Sequence, residues 1–431
     1  MKQTLNLRWW IAGLLAAAIA LNYLDRQNFP VAVVEIQKSI PLSDEQYADL
    51  QVLFLFAYAV MYSGGGKFLD LVGTRVGYAI MIVWWSIANC IHGFVNGIEG
   101  LGVARVLLGI GEAGGFPGAA KAVSEWFPPE ERSSAFGIFT AGSSFGAVIA
   151  VPLISAVIAT FGWRWVFFFT GALGLLCAIA WWCMYRPPEE HKWITPSERE
   201  YIRQTSSKAS AVSGSTSDRR LRWLELFRYR QLWGLLAAKF LSDSTWFFLI
   251  FWLPKYLADI RRLNIREIGY YAWIPYAFSA LGCLFGGWLS SYLMRGGMSL
   301  DHSRKIALGI SASLLPVSML ITRSPLSIAI AFFSLALFGH QFWSTILQTL
   351  AADMFPSVSV GSVAGLMGTA GALGAMLFNY VVGMILTRQG YGTVFLIAGL
   401  LHPCSFAIIL LIVRKIKPVV QLAGWRQSAP A

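Results

Sequence analysis

Runs of about 20 almost uninterrupted apolar residues recur along the whole chain, and each is long enough to cross ~30 Å of hydrocarbon as a helix. "WWIAGLLAAAIA" opens the series and "VFLIAGLLHPCSFAIILLIV" closes it. Inside a bilayer every backbone amide must be satisfied within its own segment or by a closed sheet. The runs are continuously apolar and do not alternate over ~10 residues, which favours helices over a β-barrel. Twelve spans are expected, centred near Ala18, Ala57, Ser86, Gly109, Gly146, Leu175, Phe247, Ala280, Leu314, Ser334, Gly371 and Leu401. The fold class is therefore an all-α polytopic membrane protein. Only 13% of the 431 residues are charged, about half the share in soluble domains. The opening "MKQTLNLRWW" resembles the basic start of a signal peptide. The apolar run continues into Asn22–Arg26 without a small-residue cleavage site, so an uncleaved first span is expected.

With both termini placed in the cytoplasm, 23 of the 34 lysines and arginines fall on that side, eight fall outside (Lys255 among them), and Arg26, Arg105 and Lys239 fall within spans. This is the positive-inside bias. The net charge of +12 then belongs to loops facing anionic lipid and implies no nucleic acid. The five cysteines sit in apolar segments without metal-like spacing, and no nucleophile motif or nucleotide loop occurs, so neither a metal, a cofactor nor an enzymatic activity is expected. A monomer is expected.

Two six-span halves are expected, residues 1–185 and 231–417, joined by a cytoplasmic linker over 186–230 and followed by a tail over 418–431. The linker contains "SSKASAVSGSTSD", a flexible composition, and "WITPSEREYIRQ". In the latter Thr195, Pro196 and Glu198 make a capping-box pattern that predicts a short surface helix. The halves repeat one another. "EWFPPEERSSAFGIFTAGSSFGA" from Glu125 and "DMFPSVSVGSVAGLMGTAGALGA" from Asp353 align at one offset of 228 residues, matching Glu125/Asp353, Phe127/Phe355, Pro128/Pro356, Ser134/Ser362, Gly137/Gly365, Gly146/Gly374 and Ala147/Ala375. Such repeats point to alternating access.

The stretch "GGGKFLDLVGTRVG" places Gly66, Asp70, Gly73 and Arg75 between spans two and three. It resembles the cytoplasmic signature of the major facilitator superfamily, and the resemblance implies a gating latch made by these four residues. In the second half, "GGWLSSYLMRGG" has Ser291 in place of the acid, so an asymmetric latch is expected.

Each ionised group at a helix centre costs about 2.5–3.5 kcal/mol on insertion scales, so charges there line a cavity or pair with one another. Asp25 and Arg26 occupy span one, Arg105 and Glu112 span four, Lys239 and Asp243 span seven. Tyr23 and Arg26 share a helix face, whereas Asp25 points about 100° away. Arg105 and Glu112 are two turns apart on one face. Lys239, Asp243 and Trp246 form a stripe, as do Gln341, Thr345 and Gln348, with His340 and Trp343 nearby; Tyr58 adds a hydroxyl. A guanidinium is the preferred partner of a carboxylate. Lys239 either meets a substrate or only neutralises Asp243.

"NYLDR", "RVLLGIGEAGGFPGAAKAVSEWFPPEER", "KFLSDSTWFFLIFWLPKYL" and "HQFWSTILQTLAADMFP" resemble the organic anion:cation symporters of that superfamily, the last two most of all its bacterial hexuronate transporters. The resemblance implies a proton symporter for a sugar acid in the bacterial inner membrane. It also implies that Tyr23, Arg26, Tyr58 and Arg105 contact the substrate and that Asp25 and Glu112 carry protons; the polar stripes add Lys239, Gln341 and Trp343 as further substrate-binding candidates. "GGF" at Gly114–Phe116 and "GSSFGA" at Gly142–Ala147 lack an expected amide side chain, which leaves the sugar open. Another organic anion, an exporter of the same fold, and a membrane nutrient sensor are the alternatives; the linker is too short for a signalling domain.

Overall fold

The computed structural model describes residues 6–127, 129–203, 223–355 and 357–419. Most of the linker, the tail, Pro128 and Pro356 lie outside the described residues, as do the side chains of Gly66, Asp70, Ser134 and Ser291. Among the described residues there is helix and no strand. The helices in chain order are α1 (Leu7–Ile36), α2 (Asp44–Val72), α3 (Thr74–His92), α4 (Ile98–Glu112), α5 (Gly115–Trp126), α6 (Pro129–Phe161) and α7 (Trp163–Met184). A short helix α8 covers residues 196–203. Then come α9 (Trp223–Leu226), α10 (Arg230–Asp259), α11 (Ile265–Tyr271), α12 (Trp273–Arg295), α13 (Leu300–Leu314) with a 3-10 continuation Leu315–Arg323, α14 (Leu326–Met354), α15 (Ser357–Gln389) and α16 (Tyr391–Ile408). All twelve expected span centres fall in helices, and nine helices among the described residues are long and apolar enough to cross a membrane.

Two compact units are present. The first holds residues 1–42, 56–217 and 263–273; the second holds 43–55, 218–262 and 274–431. The start of α2 thus belongs to the second unit and α11 to the first, so neither unit is a continuous half of the sequence.

In each unit the repeated glycine sits where two long helices cross. A Cβ on Gly146 of α6 would lie 2.2 Å from the Ala20 carbonyl oxygen of α1, and one on Gly374 of α15 would lie 2.1 Å from that of Phe240 on α10. Small residues are what allow backbones to approach this closely. Gly146→Ala is therefore expected to cost about 1–3 kcal/mol through overpacking, read as a lower melting temperature in detergent. Gly13→Ala, which meets nothing within 4 Å, should be neutral. Equal melting for the two variants would show that the α1–α6 crossing tolerates a methyl group.

The repeated acid is also used alike in the two units. Glu125 accepts a hydrogen bond from Thr74 at the start of α3 and another from Tyr185. Asp353 accepts from Arg304 at 2.8 Å, near the start of α13.

Gly73 adopts φ +87°, a left-handed conformation open to glycine, and this turns the chain from α2 into α3. Arg75 then donates to the Trp182 carbonyl at 2.9 Å and lies 4.5 Å over the Trp182 ring.

The capping box is half formed. Thr195 accepts from the Glu198 amide at 3.2 Å. The Glu198 carboxylate leaves its own helix and caps α1, accepting from the Leu7 and Arg8 amides and from the Arg8 guanidinium at 2.9 Å.

Lys255, expected on the outer side, is buried near the C-terminal end of α10. It ion-pairs with Asp44 at 2.7 Å and Asp259 at 2.6 Å.

Candidate functional site

Span four is not one helix. α4 ends at Glu112 and α5 begins at Gly115, because Gly111, Gly114 and Gly118 bring the backbone against Trp85, Met81 and Tyr78 of α3. Ala113 and Gly114 keep helical dihedrals between the two helices, and Glu112 stands buried at this tight turn.

From α1, Arg26 reaches Glu112. Its Nε donates to Glu112 Oε2 at 2.9 Å, and the two side chains are 2% and 0% exposed. Sequence spacing had placed Glu112 with Arg105; the structure gives it Arg26 as its ion-pair partner. Asn22, one turn before Arg26, accepts from Arg26 Nη2 at 3.3 Å and donates to the Glu112 carbonyl at 3.5 Å, so it ties the pair to both backbones. The rings of Tyr23 and Tyr58 each lie 4.8 Å from the guanidinium carbon, a cation–π clamp that fixes the fork while leaving its charge intact. Arg105 is fully buried, with its guanidinium 5.0 Å from the Phe29 ring. Glu112 Oε1 is buried and has no hydrogen-bond partner among the described residues.

Four of the expected residues are thus gathered around one guanidinium in the first unit: Tyr23, Arg26, Tyr58 and Glu112. Asp25 faces away from them, as its 100° offset requires, and lies buried toward α3 and α7. Asn22 was missed by the sequence reading, although it precedes Arg26 by four residues and so shares its face.

In the second unit Lys239 and Asp243 on α10 pair at 2.9 Å. A Cβ on Gly371 of α15 would meet Asp243 Oδ2 at 2.2 Å, so this glycine makes room for the carboxylate. Trp246, the third member of the stripe, stacks on His340 with ring centroids 4.8 Å apart at 15°. His340 Nδ1 lies 3.1 Å from His402 Nε2, and both imidazoles are buried. Gln341 is half-buried on α14, while Thr345 donates to the Gln341 carbonyl and Gln348 to Ser344. Trp343 is fully buried in a hydrophobic core with Leu235, Ile346 and Leu347, its ring edge against His402.

A double-mutant cycle separates the two roles open to Lys239. Each single alanine variant should lose transport by leaving a buried charge unpaired. Transport restored in Lys239→Ala/Asp243→Ala would mark the pair as structural, whereas a double variant as inactive as Lys239→Ala would assign the ammonium to substrate.

Residues 15–379 match the Major Facilitator Superfamily. The hexuronate transporter of Escherichia coli strain K12 is 32% identical over 434 residues, covering 100% of this chain and 99% of that protein. The galacturonate transporter of Dickeya chrysanthemi is 34% identical over 72% of this chain and 89% of its own length. The D-galactonate transporter of Escherichia coli O6:H1 is 31% identical over 89% of this chain and 90% of its own. Among solved structures, a bacterial homologue of the human lysosomal transporter Spinster superposes with TM-score 0.73 at 19% identity, covering 95% of this chain and 97% of that one. The xylose transporter of E. coli does so with TM-score 0.73 at 14% identity, covering 96% and 99%. Those two likenesses speak for the fold alone. A helical chain with a 6+6 internal repeat, matched to one family over most of its length, is a multi-pass membrane transporter and not an enzyme: it belongs to the major facilitator superfamily, with that family's twelve-helix fold.

Proposed function

We propose that this protein imports a sugar acid, a hexuronate foremost, together with protons by alternating access across the bacterial cytoplasmic membrane, as a monomer with both termini inside. The named substrates of its relatives, hexuronate, galacturonate and galactonate, support the substrate class. The observation that carries the reading is the buried Arg26–Glu112 ion pair between two tyrosine rings.

A guanidinium held this way has one carboxylate partner and exchanges it for another. With Glu112 ionised, its charge offsets that of Arg26 in the empty site. A substrate carboxylate that takes the fork would leave the Glu112 carboxylate as a surplus buried anion without the cation it was hydrogen-bonded to, and burying such a charge is costly. A proton on Glu112 removes the surplus, so one proton per carboxylate keeps the buried charge balanced. Linkage makes the effect reciprocal: protonation raises affinity for the anion, and the anion raises affinity for the proton. Tyr23 and Tyr58 position the guanidinium, and Arg105 offers a second cation for the acid or its hydroxyls.

The test is uptake of labelled glucuronate, galacturonate, galactonate, gluconate and tartrate into proteoliposomes with an imposed inward proton gradient. Gradient-dependent accumulation of one or both hexuronates is expected; accumulation of galactonate alone would move the substrate to the hexonates. Uptake of all five at the rate of empty liposomes would overturn the proposal and favour export of another solute.

A further inference from the structure

Behind Asp25 lies a polar cluster that the transport reading has not used. Asp25 Oδ1 accepts from Asn89 Nδ2 of α3 at 2.9 Å and from Asn28 Nδ2, one turn along α1, at 3.4 Å. The same two amides donate to Thr170 Oγ1 of α7, at 2.6 Å from Asn89 and 2.7 Å from Asn28. Asn89 also donates to the Phe167 carbonyl at 3.3 Å. Asn28 and Asn89 are 0% exposed and Asp25 and Thr170 1%. One carboxylate oxygen is therefore saturated with donors. The other, Oδ2, has no hydrogen-bond partner among the described residues, and neither does Asn28 Oδ1. Both are buried acceptors, and buried acceptors without donors are rare and costly. A proton on Oδ2 would turn that oxygen from an unpaired acceptor into a donor.

We propose that Asn28, Asn89 and Thr170 are positioning residues for Asp25: by holding Oδ1 in place they make Oδ2 the atom that takes and releases a proton on Asp25, separate from the one Glu112 takes up when substrate binds. This rests on the symport reading above and adds three residues to it. The titratable groups that act on Asp25 are Glu112 from α4, Cys90 from α3 and Cys177 from α7, while Arg26, next to it in sequence, points about 100° away. From α5 the near contact is Gly115 against Asn22, and α6 crosses α1 with Gly142 and Gly146 at its closest approach. Apart from Asp25 itself, the cluster therefore contains only amides and a hydroxyl.

The test uses the full-length protein in proteoliposomes with galacturonate as the probe. Thr170→Val keeps the side chain's shape and removes the hydroxyl; Asn89→Ala removes two donors. Both are expected to keep the counterflow KM within about threefold of wild type. Because Thr170 holds the amides that donate to Oδ1 and Asn89 supplies one of them, either change loosens that hold, and the pH midpoint of uphill uptake should shift from the wild-type value by about one unit. Thr170→Ser should restore the wild-type profile. Independently of transport, infrared difference spectra on acidification should show a protonated-carboxyl C=O band that Asp25→Asn removes and Thr170→Val displaces. An unchanged pH midpoint in both Thr170→Val and Asn89→Ala, or a band that Thr170→Val leaves in place, overturns the inference. If wild type takes up no galacturonate, whichever of the five acids it does accumulate replaces it as the probe; if it accumulates none, the transport reading fails on its own, and the infrared band still decides whether the cluster positions Asp25.

Discussion

Arg26→Ala and Arg105→Ala are each expected to weaken sugar-acid binding by at least about a hundredfold, the scale of losing one partner of a buried charge pair. The arginines are held differently, and the variants should differ accordingly. Arg26 is tied to Glu112, Asn22 and two tyrosine rings. Removing it deletes the carboxylate clamp and leaves Glu112 buried beside two apolar faces. Arg105 packs against Phe29, so its loss takes away a cation without orphaning Glu112's ion pair. Lysine should rescue either position poorly, because a point charge reproduces neither the planar fork nor the stacking between Tyr23 and Tyr58. Calorimetric titration of galacturonate into each variant provides the check, with circular dichroism to confirm folding. Affinity within a few-fold of wild type in either alanine variant would remove that arginine from the site.

Glu112→Gln should separate exchange from accumulation. The amide is isosteric with a protonated carboxyl, so Arg26 is freed for a substrate carboxylate whatever the pH. Counterflow of galacturonate is expected to continue near the wild-type rate, while pH-driven accumulation falls to the level of simple equilibration. The loss concerns coupling alone, since an amide at position 112 has no proton to deliver. Wild-type uphill accumulation by Glu112→Gln would place coupling on another group, with Asp25 next in line.

How far the sequence could be read depended on the range of each interaction. The spans were legible because hydrophobic length is a local property, and every expected centre lies in a helix. The repeat was legible because Gly146 and Gly374, and Glu125 and Asp353, occupy matching places in their units. Periodicity also separated Asp25 from Arg26 and joined Tyr23 to Arg26, since a helix fixes which neighbours share a face. It could not choose partners on other helices. Spacing alone put Glu112 with Arg105, whereas the break at Ala113–Gly114 and the Asn22 tether turn it to Arg26. The glycines of span four signalled close packing, but the interruption depends on Trp85, Met81 and Tyr78 of α3, which no local rule links to them. The ion pairs of Lys255 were not legible because one partner, Asp44, lies on α2, far away in sequence, and only Asp259 is one turn further along α10. Asn28, Asn89 and Thr170 come from three helices and carry no shared signal in one dimension.

The central claim is that a substrate carboxylate and a proton enter the same buried site because the first displaces Glu112 from Arg26. Proton uptake on substrate addition tests it most directly. Purified protein in weakly buffered detergent solution is mixed with galacturonate while a pH indicator is followed. Wild type should take up close to one proton per galacturonate bound, Glu112→Gln distinctly less, and Arg26→Ala none because it no longer binds. Binding of galacturonate to wild type without proton uptake, or equal uptake by wild type and Glu112→Gln, would contradict the account.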